Sequence, residues 1–384
     1  MSPKDGSQGS ASVFIVAGEQ SGDAHGSGLI KEIKEQSPAV KINFYGLGGS
    51  LMKKAGQMQL YGIEDLAAVG LSEVLKKYSF FKKVINECAE FIRTNNPDVV
   101  ILIDYPGFNI RLAQKIRKFY GKKILYYISP QLWAWHESRV QKIRKYVDKM
   151  LVVFPFEVEF YKKHGIDAVF VGHPLTQKIK EFLAGNPRNT KPGGNNKTVT
   201  FLPGSRKEEI RNHMPVLAAV LEKLSGKYNI TANLCVAPGM DKVYDKLSGI
   251  TSQFNLTHDN IYSLILNSDL VLTKAGTSTM ECALLGTPHL IFYKTSMMNY
   301  HLLKPFVKVN NLGIINILAG KTVVKEFIQN DFTADNLFEE SDKILSSKHY
   351  SEKISRELEV VWEILGDKNA SNNAAKIVKE TTGI

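Results

Sequence analysis

The sequence predicts an α/β fold of two consecutive doubly wound domains. Short strands, apolar on both faces, alternate with stretches of helical periodicity. The alternation stops at GNPRNTKPGGNNK (185–197), rich in Gly, Pro and Asn, and then restarts. A chain of 384 residues also has material for more than one core. Its 43% hydrophobic and 23% charged residues are an ordinary globular balance, which excludes a disordered tail, a coiled coil and a disulfide mini-scaffold.

VFIVA (13–17) is the first strand, and its turn GEQSGD opens an amphipathic stretch ending near Gln36. KINFYG (41–46) closes in the glycine turn GLGGS. VVILID (99–104), KKILYYI (122–128) and KMLVVF (149–154) continue the series, as a parallel sheet covered on both sides requires. The second series is TVTFLP (198–203), NITANLCVA (229–237), DLVLT (269–273) and PHLIFY (288–293). The expected organisation is a first domain over 12–174, a linker region over 175–197, a second domain over 198–340 and a helical, charged segment over 341–384.

The formal charge is +11, and residues 111–149 hold eleven Lys or Arg against Glu137 and Asp148. Such a patch suits phosphorylated ligands or an anionic membrane surface. With no zinc-finger, RRM or KH pattern, nucleic acid is not an expected partner. Cys88, Cys235 and Cys282 lack paired spacing and read as thiols of a reducing compartment. MSPKDGSQGSAS has no signal-peptide core, and no apolar run approaches a membrane span. A cytoplasmic protein with peripheral membrane contact is expected.

Ligands of open α/β sheets bind at the carboxyl ends of strands, so the residues there are the candidates. Gly18, Ser21, Gly22 and Asp23 follow the first strand and open a helix, where backbone N–H groups can approach a ligand. A plain strand-to-helix turn explains the same glycines. The stretch is not GxGxxG and no acidic residue ends the second strand, which disfavours a dinucleotide. Asp104 ends an apolar strand among aromatics, where partial desolvation suits a general base, and Asn109 is placed to orient it. A helix-capping role is the alternative for Asp104. Trp133 and Trp135 in SPQLWAW form either a binding wall or core packing.

In the second domain, Gly204, Ser205 and Arg206 follow the first strand and open a helix, a ready phosphate cradle. Gly276, Thr277, Ser278 and Thr279 repeat the arrangement, and Glu281 lies one turn into that helix, in reach of a ribose diol. Two such turns in one domain suggest a nucleotide diphosphate. With no Asp-x-Asp, HExxH or Walker A sequence, no metal and no other cofactor is expected.

Read together, VAGEQSGDAHG, GLGGSLMKKAG, VGLSEVL, DYPGFN, SPQLWAW, FPFEVEFY, FVGHPL, LPGSRKEEI, KAGTSTMECAL and NILAGKTVVKEFIQ resemble, in order, the lipid-A-disaccharide synthase family of bacterial glycosyltransferases. The resemblance covers residues 13 to about 332. It implies a GT-B fold, two Rossmann-like domains facing a cleft. It implies transfer of diacylglucosamine from UDP-diacylglucosamine to diacylglucosamine 1-phosphate, giving a β-1,6 disaccharide and UDP. Carried over by motif, Asp104 is the base, and Arg206 and Glu281 contact UDP. Asn316 matches an Asn of the family's Leu-Pro-Asn-Leu-Leu-Ala-Gly stretch, here Ile314–Gly320 without the proline. The resemblance implies a terminal segment packed on the first domain or across a homodimer, and a place at the inner membrane. An epimerase of UDP-N-acetylglucosamine with the same fold, or a non-catalytic nucleotide-lipid binding protein, are the alternatives.

Substrates with several acyl chains require a membrane contact. In residues 69–85, Leu71, Val74, Leu75, Tyr78, Phe81 and Ile85 fall at helical spacing, with Phe80 off the stripe and Lys76, Lys77, Lys82 and Lys83 beside it. Tyr78, Phe80, Phe81, Lys82 and Lys83 are the expected contact, on an interfacial helix. A core-facing helix with a solvated lysine face is the alternative.

Overall fold

The computed structural model describes residues 10–68, 74–133, 139–187, 194–258, 260–296 and 311–383. It divides into two compact units, Met1–Pro174 with Lys368–Ile384, and Leu175–Asp367.

The first unit is built on an all-parallel sheet of β1 (Ser10–Ala17), β2 (Lys41–Gly48), β3 (Gln57–Gly62), β4 (Val99–Ile103), β5 (Lys123–Tyr127), β6 (Lys149–Val152) and β7 (Ala168–Phe170). Their order in the sheet is β3-β2-β1-β4-β5-β6-β7. Val13–Ala17 and Val99–Ile103 have no exposed surface, because helices cover both faces of the central strands. Register pairs Ala17 with Ile103 and Ile103 with Tyr127. The turns after β1, β4 and β5 therefore lie side by side.

The second unit repeats the plan with β8 (Asn196–Leu202), β9 (Asn229–Cys235), β10 (Asn255–Thr257), β11 (Leu270–Lys274), β12 (His289–Tyr293) and β13 (Glu326–Ile328). The order is β10-β9-β8-β11-β12-β13, again parallel throughout. Leu202 pairs with Thr273, so the two predicted phosphate turns leave adjacent strands at the same edge.

Two expected boundaries are corrected. The linker region expected over 175–197 does not begin at 175: Pro174–Gly185 is a helix whose Leu175, Thr176 and Ile179 are buried, and the second unit begins at Leu175. Leu175, Ile179 and Phe182 supply an apolar face at helical spacing, and the ring of Phe182 packs edge-on to Tyr262 at 5.5 Å. Nor does the segment 341–384 act as one piece. The helices Lys348–Leu358 and Val360–Leu365 stay with the second unit, where Trp362 donates its indole N–H to the Leu284 carbonyl at 2.8 Å.

The chain returns to the first unit from Lys368, and the helix Ala370–Thr382 then runs along the helix Gln20–Gln36. Ala370, Ala374, Ala375 and Val378 form its small apolar face. Asn372 donates to Glu32 at 2.8 Å and Asn373 to the Val171 carbonyl at 2.9 Å. Gly28 makes the approach possible, since a Cβ there would lie 2.8 Å from Ser371 Oγ. Cys88 and Cys282 are buried, and all three cysteines are free thiols. Among the described residues no helix is long and apolar enough to cross a membrane.

Candidate active site

In the first unit, Asp104 stands at the carboxyl end of β4. It and Tyr105 both adopt left-handed backbone, φ 43° and 46°, before the helix Pro106–Ile116 begins. Such conformations cost of order 1–3 kcal/mol each and persist only where neighbours enforce them. Here the neighbours are visible. Buried Asn109 donates its amide to the carbonyls of Ile103 (3.1 Å) and Asp104 (2.8 Å), and the Tyr126 hydroxyl donates to the Asp104 carbonyl. Asn109 thus orients Asp104 through its backbone rather than its carboxylate. Burial, then the charge of Glu19, push the Asp104 carboxyl up to about 6, against one backbone hydrogen bond. A carboxylate of that basicity can take a proton near neutral pH.

Gly18 lies under the ring of Tyr105, and Gly22 packs against Ala17, where a Cβ would be 3.2 Å from the alanine methyl. Ser21 is exposed in the first turn of its helix. Asp23 differs from the expectation of an acceptor-side ligand. It is 3% exposed, and its oxygens accept the N–H groups of Gly49 (2.8 Å), Leu51 (3.0 Å) and Met52 (2.9 Å). With its lone pairs so occupied, it fastens the glycine turn after β2 to the turn after β1.

The expected membrane residues lie on the helix Val74–Asn95. Residues 69–73 and Trp135, with the side chain of Tyr78, lie outside the described residues. Phe80 and Phe81 are half-buried and not an open apolar stripe: Phe80 meets Tyr61 edge-on at 5.9 Å, and Phe81 lies 6.4 Å from both Tyr105 and Phe108. Aromatic side chains bury too much area to stay in water when a ring neighbour is in reach. Lys82 and Lys83 are exposed. The basic stretch is partly neutralised, since Arg117 pairs with Asp148, and Lys122 with Asp98 at 2.9 Å.

In the second unit, Gly204 has φ 126°, and a Cβ there would fall 2.6 Å from a Glu209 carboxylate oxygen. Ser205 and Arg206 are exposed at the start of the helix Lys207–Ser225. Gly276 and Thr277 are likewise exposed where the helix Thr277–Leu284 begins. Ser278 and Thr279 turn inward instead. Ser278 Oγ bonds Thr273 Oγ1 at 2.7 Å, and Thr279 donates to the Gly276 carbonyl at 2.7 Å. They shape the turn and leave Thr277 as its open hydroxyl. Burial raises the Glu281 carboxyl, while the Lys178 charge and a hydrogen bond from Tyr262 work against it.

Asn316 departs furthest from a ligand-facing role. It has no exposed surface. Its amide donates to the Val324 carbonyl (2.8 Å) and Glu326 (2.7 Å), and its oxygen accepts the N–H groups of Val323 (2.8 Å) and Val324 (3.1 Å). All of its hydrogen-bonding capacity is occupied within the loop.

Several residues not singled out from the sequence complete these turns. His213 is buried, donating Nδ1–H to the Pro203 carbonyl at 2.6 Å while Nε2 accepts the Lys294 N–H at 3.0 Å. Burial lowers its pKa and keeps it neutral in that tautomer. Glu157, 1% exposed, accepts the Trp133 indole N–H and the Phe154 N–H, both at 3.1 Å, and burial pushes it up to about 7. Glu209, in contrast, could have been noticed three residues after Arg206, at salt-bridge spacing on a helix. Among the described residues no three or more His, Cys, Asp or Glu are grouped to hold a metal ion.

A sequence profile described as lipid-A-disaccharide synthetase matches residues 13–380. The chain is 38% identical over 378 residues to lipid-A-disaccharide synthase of Geobacter sulfurreducens, covering 97% of each. It is 36% identical over 363 residues to lipid-A-disaccharide synthase 1 of Legionella pneumophila strain Lens, covering 93% and 94%. Among solved structures it resembles UDP-GlcNAc 2-epimerase from Neisseria meningitidis bound to UDP-GlcNAc, with TM-score 0.61, 13% identity and coverage of 97% and 98%. A glycosyltransferase from Rickettsia africae gives TM-score 0.57 at 13% identity, covering 98% and 99%. At such identities the structural likenesses speak for the fold alone, and that fold is GT-B.

Proposed function

The chain belongs to the lipid-A-disaccharide synthetase family, and on that premise we propose how its residues share the reaction. It is a glycosyltransferase of lipid A disaccharide synthesis, acting on nucleotide-sugar and lipid-linked substrates. The epimerase alternative loses ground, because the epimerases share the fold at 10–14% identity while the synthases of Geobacter sulfurreducens and Legionella pneumophila share 36–38% of residues over nearly the whole chain.

Asp104 takes the proton of the acceptor 6-hydroxyl as that oxygen attacks the anomeric carbon of UDP-diacylglucosamine. Attack opposite the diphosphate inverts the centre once, turning an α-linked donor into a β-1,6 product. The second unit holds UDP. Glu281 accepts from the ribose, and the N–H groups of the turns at Gly204–Arg206 and Gly276–Thr277, with the Arg206 guanidinium, meet the charge that builds on the leaving diphosphate. Asn316 serves by holding its own loop. The acceptor, diacylglucosamine 1-phosphate, is met by the first unit, which lies peripherally on the cytoplasmic face of the inner membrane through Lys82 and Lys83.

The observation that carries this reading is Asp104, a half-buried carboxylate at a strand end whose basicity is raised to about 6. The test is mass spectrometry of the product made from UDP-diacylglucosamine and diacylglucosamine 1-phosphate. A disaccharide monophosphate with stoichiometric UDP is expected. Release of UDP without a disaccharide would defeat the reading.

A further inference from the structure

The two glycine turns of the second unit are joined by one ion pair. Lys274, the last residue of β11, extends its ammonium to within 3.2 Å of Glu209 Oε1, on the helix that begins after Arg206. The other Glu209 oxygen accepts the Ser205 N–H at 3.3 Å, while Arg206 reaches the first only at 3.6 Å. A Cβ on Gly276 would lie 3.4 Å from the same ammonium, which faces the Tyr293 ring at 5.9 Å. Lys274 Nζ therefore stands between the turn of Gly204–Arg206 and the turn of Gly276–Thr279.

Exposure separates the two cations. The Arg206 side chain is 79% exposed and Lys274 only 21%, while the Glu209 side chain between them is 7% exposed. A charge in water is screened, whereas one withdrawn from water acts on a neighbouring anion with several times the strength. A 7%-exposed carboxylate beside two cations and a backbone N–H also occupies the kind of place that a phosphate oxygen would take.

We propose that Lys274 binds the diphosphate of the UDP-sugar and supports its departure, with Glu209 as the positioning residue that holds the ammonium between the two turns until the diphosphate takes its place. This rests on the reading that UDP lies at these turns. As the bond from the anomeric carbon to the diphosphate oxygen breaks, its electron pair stays on that oxygen, and Lys274 meets the added charge without needing to be drawn in from solvent. Glu209 competes with the diphosphate for the ammonium, so its charge holds the Lys274 side chain in place and opposes binding.

The two roles have opposite signatures in UDP affinity. Isothermal titration with UDP, and saturation-transfer NMR with uridine, should be run on the full-length protein and on K274M, K274R and E209Q, each checked by circular dichroism. The expectation is that K274M binds UDP at least tenfold more weakly with uridine binding unchanged, that K274R stays within about threefold of wild type, and that E209Q binds UDP more tightly than wild type. A folded K274M with wild-type UDP affinity, or one that loses uridine and UDP alike, overturns the lysine's role. An E209Q that binds UDP no more tightly than wild type overturns the competition. Should K274M not fold, K274R and E209Q decide on the same criteria. Failure of the wild-type protein to bind UDP would instead strike the functional reading on which the inference rests.

Discussion

The ring of Tyr105 fills the space directly above Gly18, so that any side chain at Gly18 would collide with it. Tyr105 follows Asp104 in the chain and shares its left-handed backbone, so the turn after β1 sets the position of the turn after β4. Gly18→Ala is expected to displace the ring and, with it, the carboxylate. A misplacement near 1 Å can cost about 10²-fold in rate. Steady-state kinetics on a variant shown by circular dichroism to be folded should find kcat reduced on that scale, and an unchanged kcat would separate the two turns.

Asp104→Asn is expected to lower kcat by about 10²–10⁴, the usual contribution of a general base. In the wild type the base works ionised, so activity should fall as pH drops through about 6. Glu19 is part of the reason for that value, and Glu19→Gln should move the acidic limb to lower pH, as a pH series of kcat/KM will show. Stability has the opposite sense. The folded pKa lies above the unfolded one, so ionised Asp104 costs nothing below about pH 4 and its full penalty above about pH 6. Asp104→Asn should therefore unfold at higher temperature at neutral pH.

Asn316→Ala leaves the N–H groups of Val323 and Val324 without their acceptor in a buried place. At ~1–3 kcal/mol for an unsatisfied buried group, the loss should be about 2–4 kcal/mol in urea unfolding. UDP affinity measured on the folded variant should change less than the stability does. A variant of normal stability that no longer binds UDP would return Asn316 to the ligand.

Glu157 is the acceptor for Trp133 and is pushed up to about 7 by burial. Its folded pKa is above the unfolded value, so the penalty for its charge sets in from about pH 4.5 and is complete above about pH 7. The indole N–H resonance of Trp133 should titrate near pH 7 in the wild type and stop titrating in Glu157→Gln. A resonance that titrates alike in both would show that another group is responsible.

Because Phe80 and Phe81 have ring partners, charge is the cleaner probe of the membrane. Lys82→Glu with Lys83→Glu should reduce flotation with anionic liposomes, at ~1 kcal/mol per well-placed basic residue, and more salt should reduce it further. Equal flotation of the wild type and a folded double variant would place the contact elsewhere.

The sequence revealed the sheets from their centres outward. VFIVA and VVILID are apolar on both faces because helices cover both sides of β1 and β4, and such runs stand out. The unanticipated strands β3, β7, β10 and β13 are the outermost in their sheets. Each is short or partly exposed, as in QMQLYG and NLT, and carries no buried run to be seen. The glycine turns were legible for a similar reason, since close approach limits the residue to Gly. The direction of a side chain was not. Asp23, Ser278, Thr279 and Asn316 are polar residues in the right turns, yet each is held by neighbouring main-chain or hydroxyl groups that only folding brings together. Glu209 and Lys274 are 65 positions apart, and nothing in either segment announces the other.

The return of Ala370–Thr382 to the helix Gln20–Gln36 has a consequence for how the molecule is made. Synthesis proceeds from the amino end, and domains generally fold as they emerge from the ribosome. The second unit is continuous, and all of it has been translated by Asp367. The first begins to form earliest and stays unfinished until Lys368 and the residues after it have followed. A premature stop codon just past Asp367 would thus spare the younger half of the protein and injure the older one, leaving Gly28 open to water where Ser371 would have covered it.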